Sequence, residues 1–179
     1  MCLAISHGDL EDVTRLLDAG ADINESFNVY SQVSNPLCFA IHTSMHMHSE
    51  RGLPLIQLLL ERNANTEFRS GHTGCTPLIM AGILGSVGAV NLLIAHGANL
   101  FNHDQYGSTA LQRTFWLSMV LIGPYERRRQ VVQILKDEMD RAWFESSVVQ
   151  DDSRNLAVAM GHHSGLGASS HLSNLDPGV

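Results

Sequence analysis

Cysteine is scarce in this chain. The three residues, Cys2, Cys38 and Cys75, are odd in number and none stands in C-x-x-C spacing. That excludes a disulfide framework and a zinc ribbon, and it leads us to expect reduced thiols in a cytoplasmic or nuclear compartment. Positive charge is short as well: 11 Lys and Arg face 18 Asp and Glu, a formal net charge of −7. A nucleic-acid surface needs a concentrated basic excess. The single basic run, Arg127-Arg128-Arg129, is too short to supply one and reads as solvated side chains, with a phosphate or acidic-partner patch as the alternative. Long apolar runs are missing, since no stretch approaches the roughly 20 residues that cross a bilayer. The opening MCLAISHGDLED has neither the basic start nor the apolar segment of a signal peptide. Neither nucleic acid nor membrane is therefore an expected partner. Asn24-Glu25-Ser26 has the form of a glycosylation acceptor, which without secretion carries no meaning.

Catalytic signatures are also lacking. There is no G-x-S-x-G, no phosphate-binding loop, no G-x-G-x-x-G and no HExxH; GHHSGLG at 161–167 has the wrong spacing for a nucleophile elbow. Glu11, Asp12, Asp18 and Asp22 read as carboxylates on a solvated face. No catalytic residue and no cofactor is assigned, and the chain is not expected to be an enzyme.

What the chain does have is a core and a period. Apolar residues make up 44% and charged residues 16%, enough to bury a hydrophobic interior. Three short motifs recur in phase: GADIN at 20–24, NANTE at 63–67 and GANLF at 97–101. Each follows an apolar helix ending (VTRLLDA, LIQLLLER, AVNLLIAH) and precedes NPLCFAI at 35–41, TPLIMAG at 76–82 or TALQRTF at 109–115. Thr76 and Thr109 are 33 residues apart. Thr at these positions caps a helix by accepting from a backbone N–H, and Pro77 follows at N1, where its missing donor costs nothing. Leu78, Ala81 and Leu84 form one apolar stripe before Gly85 ends the helix. Val90, Leu93 and Ile94 form another before Gly97. Gly20, Asn63 and Gly97 occupy equivalent slots where a left-handed residue terminates the helix.

These motifs resemble the ankyrin repeat family, whose pattern is a turn, T-P-L-H-x-A opening a first helix, and a second helix. The resemblance covers about residues 1–140 and implies an all-α solenoid of helix-turn-helix units with short hairpin-like turns. Repeats are expected at about 1–24, 25–67, 68–101 and 102–144, followed by a disordered polar tail over 145–179 with a short helix at Asn155–Met160. The last array helix is expected to start at Tyr125 and to turn Val131, Ile134, Leu135 and Met139 inward. The family's His is absent: Cys38, Ile79 and Gln112 stand in its place, which puts its hydrogen bonds between neighbouring loops in doubt. Met1 falls inside the first helix of repeat one. A fragment, a wrongly started gene model and an array naturally without its first turn all remain open. The N-terminal edge is expected to be the least stable part.

HTSMHMHSERG at 42–52 puts three histidines into seven positions. Counted from Asn35, the second helix of repeat two begins its apolar pair at Leu55-Ile56, seven residues later than Ala89 follows Thr76, so this stretch reads as an insertion ending where Pro54 restarts the helix, with removal of His46–Gly52 expected to be tolerated. LSMVLIGPYERRR at 117–129 reads as a similar insertion in repeat four. His42, His46 and His48 are the candidate metal ligands, but their spacing matches no zinc motif, and a plain insertion is the favoured reading. His162, His163 and His171 in the tail read as inert.

The resemblance implies partners lying across turn tips and first helices. The expected function is a non-catalytic protein-interaction module or scaffold, acting as a monomer. The alternatives are a recognition part of a larger signalling or effector protein, and a small His-rich metal-binding protein. Ile83 and Leu84 occupy slots where the family shows polar, exposed residues, and Trp116 and Leu117 repeat the pattern. With Tyr106 on the adjoining turn they are expected to form an exposed apolar patch, flanked by His72, Thr73, His103 and Gln105 as protein-binding residues; the alternative is that the repeat-four insertion folds back over them, or that Leu84 completes the stripe of Leu78 and Ala81.

Overall fold

The computed structural model describes residues 1–29, 32–44, 49–120 and 125–161. They form eight helices and one small hairpin: α1 Cys2–His7, α2 Leu10–Asp18, β1 Phe27–Val29, β2 Gln32–Ser34, α3 Pro36–Ser44, α4 Ser49–Glu61, α5 Pro77–Leu84, α6 Val87–Ala95, α7 Ala110–Val120 and α8 Tyr125–Gly161. The fold is an all-α repeat. Two compact units divide it, Met1–Met139 and Asp140–Val179. Among the described residues no helix is long and apolar enough to cross a membrane.

In the first unit the helices alternate between two layers. The first helix of each pair stacks α1 on α3, α3 on α5 and α5 on α7; the second helices stack α2 on α4 and α4 on α6. Local chemistry sets each boundary. Thr76 Oγ1 accepts from Ile79 N–H, Asn35 Oδ1 from Cys38 N–H, and Thr109 Oγ1 from Gln112 N–H, so three equivalent residues cap three equivalent helices. Gly20, Asn63 and Gly97 have φ of 89°, 62° and 77°. Beyond each, an alanine amide reaches back five residues: Ala21 to Leu16, Ala64 to Leu59 and Ala98 to Leu93, at 2.9–3.0 Å. This satisfies carbonyls that the helix end would otherwise orphan, and it turns the chain toward the next repeat.

The core runs between the layers. Leu37, Ile41, Leu55, Ile56, Leu59, Leu78, Ile79, Val90 and Leu93 are buried essentially completely, and Val131 and Leu135 of α8 join the same cluster. Ile134 and Met139 are half-buried, as the stripe predicts. Small residues set the close approaches. A Cβ on Gly82 would meet Thr114 Oγ1 at 2.3 Å, and one on Gly88 would meet Leu53 Cδ1 at 2.6 Å.

Two expectations about the elements need correction. The helix α4 begins at Ser49, so Pro54 lies inside it rather than opening it. Gly52 is the reason: a Cβ there would come within 2.6 Å of Ser44 Cβ, so the segment packs onto the end of α3 instead of looping away. Pro54 is exposed and sits in the second turn, where one lost helical bond is tolerated. The segment His46–Gly52 is thus partly helix, not a free insertion. The second correction is the tail: residues 145–161 continue α8. No Gly or Pro interrupts the chain between Tyr125 and Met160, and Ala, Leu, Met, Glu and Gln sustain the helix. Residues 162–179, with His162, His163 and His171, lie outside the described residues.

Candidate functional site

The turns between helix pairs form a row joined by main-chain bonds. The first is the β1–β2 hairpin, antiparallel with Phe27 opposite Ser34 and Val29 opposite Gln32. The second is closed by Ser70 and Cys75, which exchange both backbone bonds at 2.9 and 3.2 Å around His72 and Thr73. The third is organised by Asp104, whose Oδ1 accepts from the N–H groups of Tyr106 and Ser108 at 2.9 and 3.0 Å. Turn then bonds to turn. Gly71 N–H donates to Val33 O at 2.8 Å, Gln105 N–H to Thr73 O at 3.0 Å, and Arg69 Nη1 to His103 O at 2.6 Å.

These bonds resolve the doubt raised by the missing histidine. Coupling between loops runs through backbone bonds and through the side chains of Arg69, Ser70, Asn24 and Glu67, while the three stand-in residues do other work. Gln112 Oε1 accepts from Thr109 N–H at 3.0 Å, completing a reciprocal cap. Ile79 is core. Cys38 is fully buried beside Ser70, and burial pushes its thiol up to about 12, against the smaller lowering effect of the Ser70 hydrogen bond. Burial raises the Cys75 thiol too, while Thr73 Oγ1 lies 3.0 Å from its sulfur.

Tyr106 is 63% exposed, yet its ring is held. The Arg113 guanidinium stacks 4.9 Å from the ring centroid, and its Nε lies 3.4 Å from Asp104 Oδ2, a carboxylate enclosed by the turn. His72, His103 and Gln105 are exposed and Thr73 half-buried along the same row. On α7, Trp116 is 59% exposed and Leu117 half-buried.

Ile83 and Leu84 do not join them. Both are half-buried and pack against the core, so the expected patch of five exposed side chains is not formed. The start of α8 covers them. Arg128 Nε donates to Ile83 O at 3.0 Å, and Gly85 lies close to both Arg127 and Arg128. Arg128 is itself buried, correcting the reading of the arginine run as wholly solvated, while Arg127 and Arg129 remain exposed. Apolar exposure instead extends along α7 through Phe115, Met119 and Val120. Their spacing from Trp116, one helical turn apart in two rows, was the available signal.

The sequence reading also missed a pocket of about 200 Å³ between the hairpin, α3 and α5, lined by Val29, Gln32, Phe39, His42, Ser70 and Met80. Phe39 is braced edge-on against Phe27 at 5.8 Å. Phe39 and Met80 share the fifth position of the capped motif, which is where the periodicity points. His42 is exposed here; His46 and His48 lie outside the described residues. Among the described residues no group of three or more His, Cys, Asp or Glu gathers in metal-binding geometry.

A family model described as Ankyrin repeats (3 copies) matches residues 1–101 and 45–117. Comparison with curated proteins found no match.

Proposed function

The chain belongs to the ankyrin repeat family, whose repeats are in general non-catalytic protein–protein interaction modules, and from that premise we propose that it binds a partner protein across its turn row and first helices. The observation that carries this reading is the pairing of two exposed aromatic side chains, Tyr106 and Trp116, with a rigid, hydrogen-bonded row of turns. Aromatic anchors on a preorganised surface yield binding energy at little entropic cost. His72, Thr73, His103, Gln105 and Leu117 flank them. Ile83 and Leu84 serve as the support beneath and not as contacts. The three free thiols favour a reducing compartment, cytoplasmic or nuclear, for the encounter.

The test is a comparative capture. Tyr106→Ser combined with Trp116→Ser should change stability by less than about 1 kcal/mol, because both side chains are largely solvated. Affinity capture with mass spectrometry should then lose the specific interactor that the parent retains. An interactor held equally by both proteins would place binding elsewhere.

A further inference from the structure

We infer that the segment this face accepts is an acidic stretch of polypeptide carrying one aliphatic or aromatic side chain, which seats in the pocket between the hairpin, α3 and α5. The inference rests on the binding-face reading above and adds the chemistry of the partner.

Charge is distributed unevenly over the chain. Carboxylates outnumber basic residues by 18 to 11 in the whole protein. Yet the three turn-and-first-helix segments, 27–44, 68–84 and 101–120, contain a single carboxylate, Asp104. That one is buried and committed to Tyr106 N–H, Ser108 N–H and Arg113. The nearest carboxylates in sequence are Glu25, before the hairpin, and Glu67. The Glu67 carboxylate accepts from Asn99 N–H and from the Asn102 side chain.

The cationic side of the ledger is open. Arg69 is exposed at the base of the second turn and joins no ion pair among the described residues. One of its nitrogens donates to His103 O, which holds the guanidinium at the turn, and the exposed side chain has further N–H donors. The exposed imidazoles of His72 and His103 stand on adjacent turns and offer further N–H donors. Within the three segments an acidic stretch meets an unpaired Arg and no exposed carboxylate; the exposed Glu25 and the half-buried, hydrogen-bonded Glu67 stand just outside them. A basic segment finds no carboxylate to pair with and meets Arg69 instead. Complementarity of this kind selects partners and steers their encounter, even where each rim charge adds little affinity.

The pocket supplies the apolar half of the recognition. Val29, Phe39 and Met80 give it an apolar lining, and Gln32, His42 and Ser70 add polar groups. Its volume of about 200 Å³ suits one side chain rather than a whole ligand.

A random-peptide library displayed on phage, selected against the full chain, reads this directly. Enriched peptides should carry an excess of Asp and Glu over Lys and Arg around one apolar residue. Their affinity should fall about tenfold in Arg69→Gln and in His72→Glu, and should weaken as salt is raised. Arg69→Gln keeps a donor for His103 O, so loss of the turn is separated from loss of charge. Enriched peptides that are neutral or basic, yet displaced by Met80→Glu or Trp116→Ser, would overturn the acidic assignment alone. No enrichment, or enrichment indifferent to all four substitutions, would overturn the binding face as well. A single-stranded oligonucleotide bound at the same residues would replace the polypeptide with a nucleic acid and also end the inference.

Discussion

Valine at position 97 would have to adopt a φ of 77°, where its branched Cβ crowds the following carbonyl. Nothing lies within 4 Å of a Cβ built there, so the strain is purely conformational. Gly97→Val should therefore cost more than about 1 kcal/mol, and Asn63→Gly, at φ 62°, should be neutral or slightly stabilising. Urea midpoints compare the two, and an unchanged midpoint for Gly97→Val would contradict a left-handed helix end. A second residue-scale test uses Cys38. Its folded-state pKa is raised from 9.0 to about 12 by burial, so the folded protein holds that proton more tightly than the unfolded chain. The associated stability is complete below about pH 9 and is lost as pH rises toward 12. Unfolding midpoints should drop over that window, and Cys38→Ala should drop less steeply than the parent. Equal slopes would remove Cys38 from the account.

Among elements, the α5–α7 contact is the most sensitive to a single methyl group. Gly82→Ala brings Cβ to 2.3 Å from Thr114 Oγ1, whose hydroxyl already donates to Ala110 O at 2.7 Å. Overpacking at such a site costs on the order of 1–3 kcal/mol. Thr114→Ala in the same chain should recover part of that loss, and a double-mutant cycle in urea measures the coupling; strictly additive effects would mean that the helices adjust freely. The caps and left-handed ends of these elements were legible in the sequence because each depends on residues within one turn: Thr76, Thr109, Gly97, Asn63. The start of α4 was not, because Gly52 acts through its contact with Ser44 on another helix. For Ile83 and Leu84 the sequence left exposure and burial both open, and for Arg128 it pointed to solvent, since the outcome depends on where α8 returns to the array. Tyr106, Trp116 and the turn residues were legible as surface because periodicity assigns them to the outer side. The pocket at Phe39 and Met80 required the neighbouring hairpin to be placed first.

At the scale of the first unit, stability should grade along the array, because each helix pair is stabilised mainly by its neighbours. Among the described residues the pair α1–α2 stacks onto α3 and α4. It buries just two side chains completely, Ile5 and Val13, whereas α3 and α4 together bury Leu37, Ile41, Leu55, Ile56 and Leu59. At about 1.5–3 kcal/mol for each fully buried aliphatic side chain, that difference far exceeds anything the Asp9 cap or the exposed Arg15 ion pairs of α2 return. The first pair should therefore open in sub-global fluctuations that leave the centre intact. Hydrogen exchange followed by mass spectrometry should find the amides of α1 and α2 exchanging at least about tenfold faster than those of α5 and α6. Val13→Ala should widen the gap by loosening α2 without changing the rate in α6. Uniform protection across all four helices, moving together in the variant, would mean that the unit opens as one cooperative body and that the smaller core of α1–α2 carries no weakness of its own.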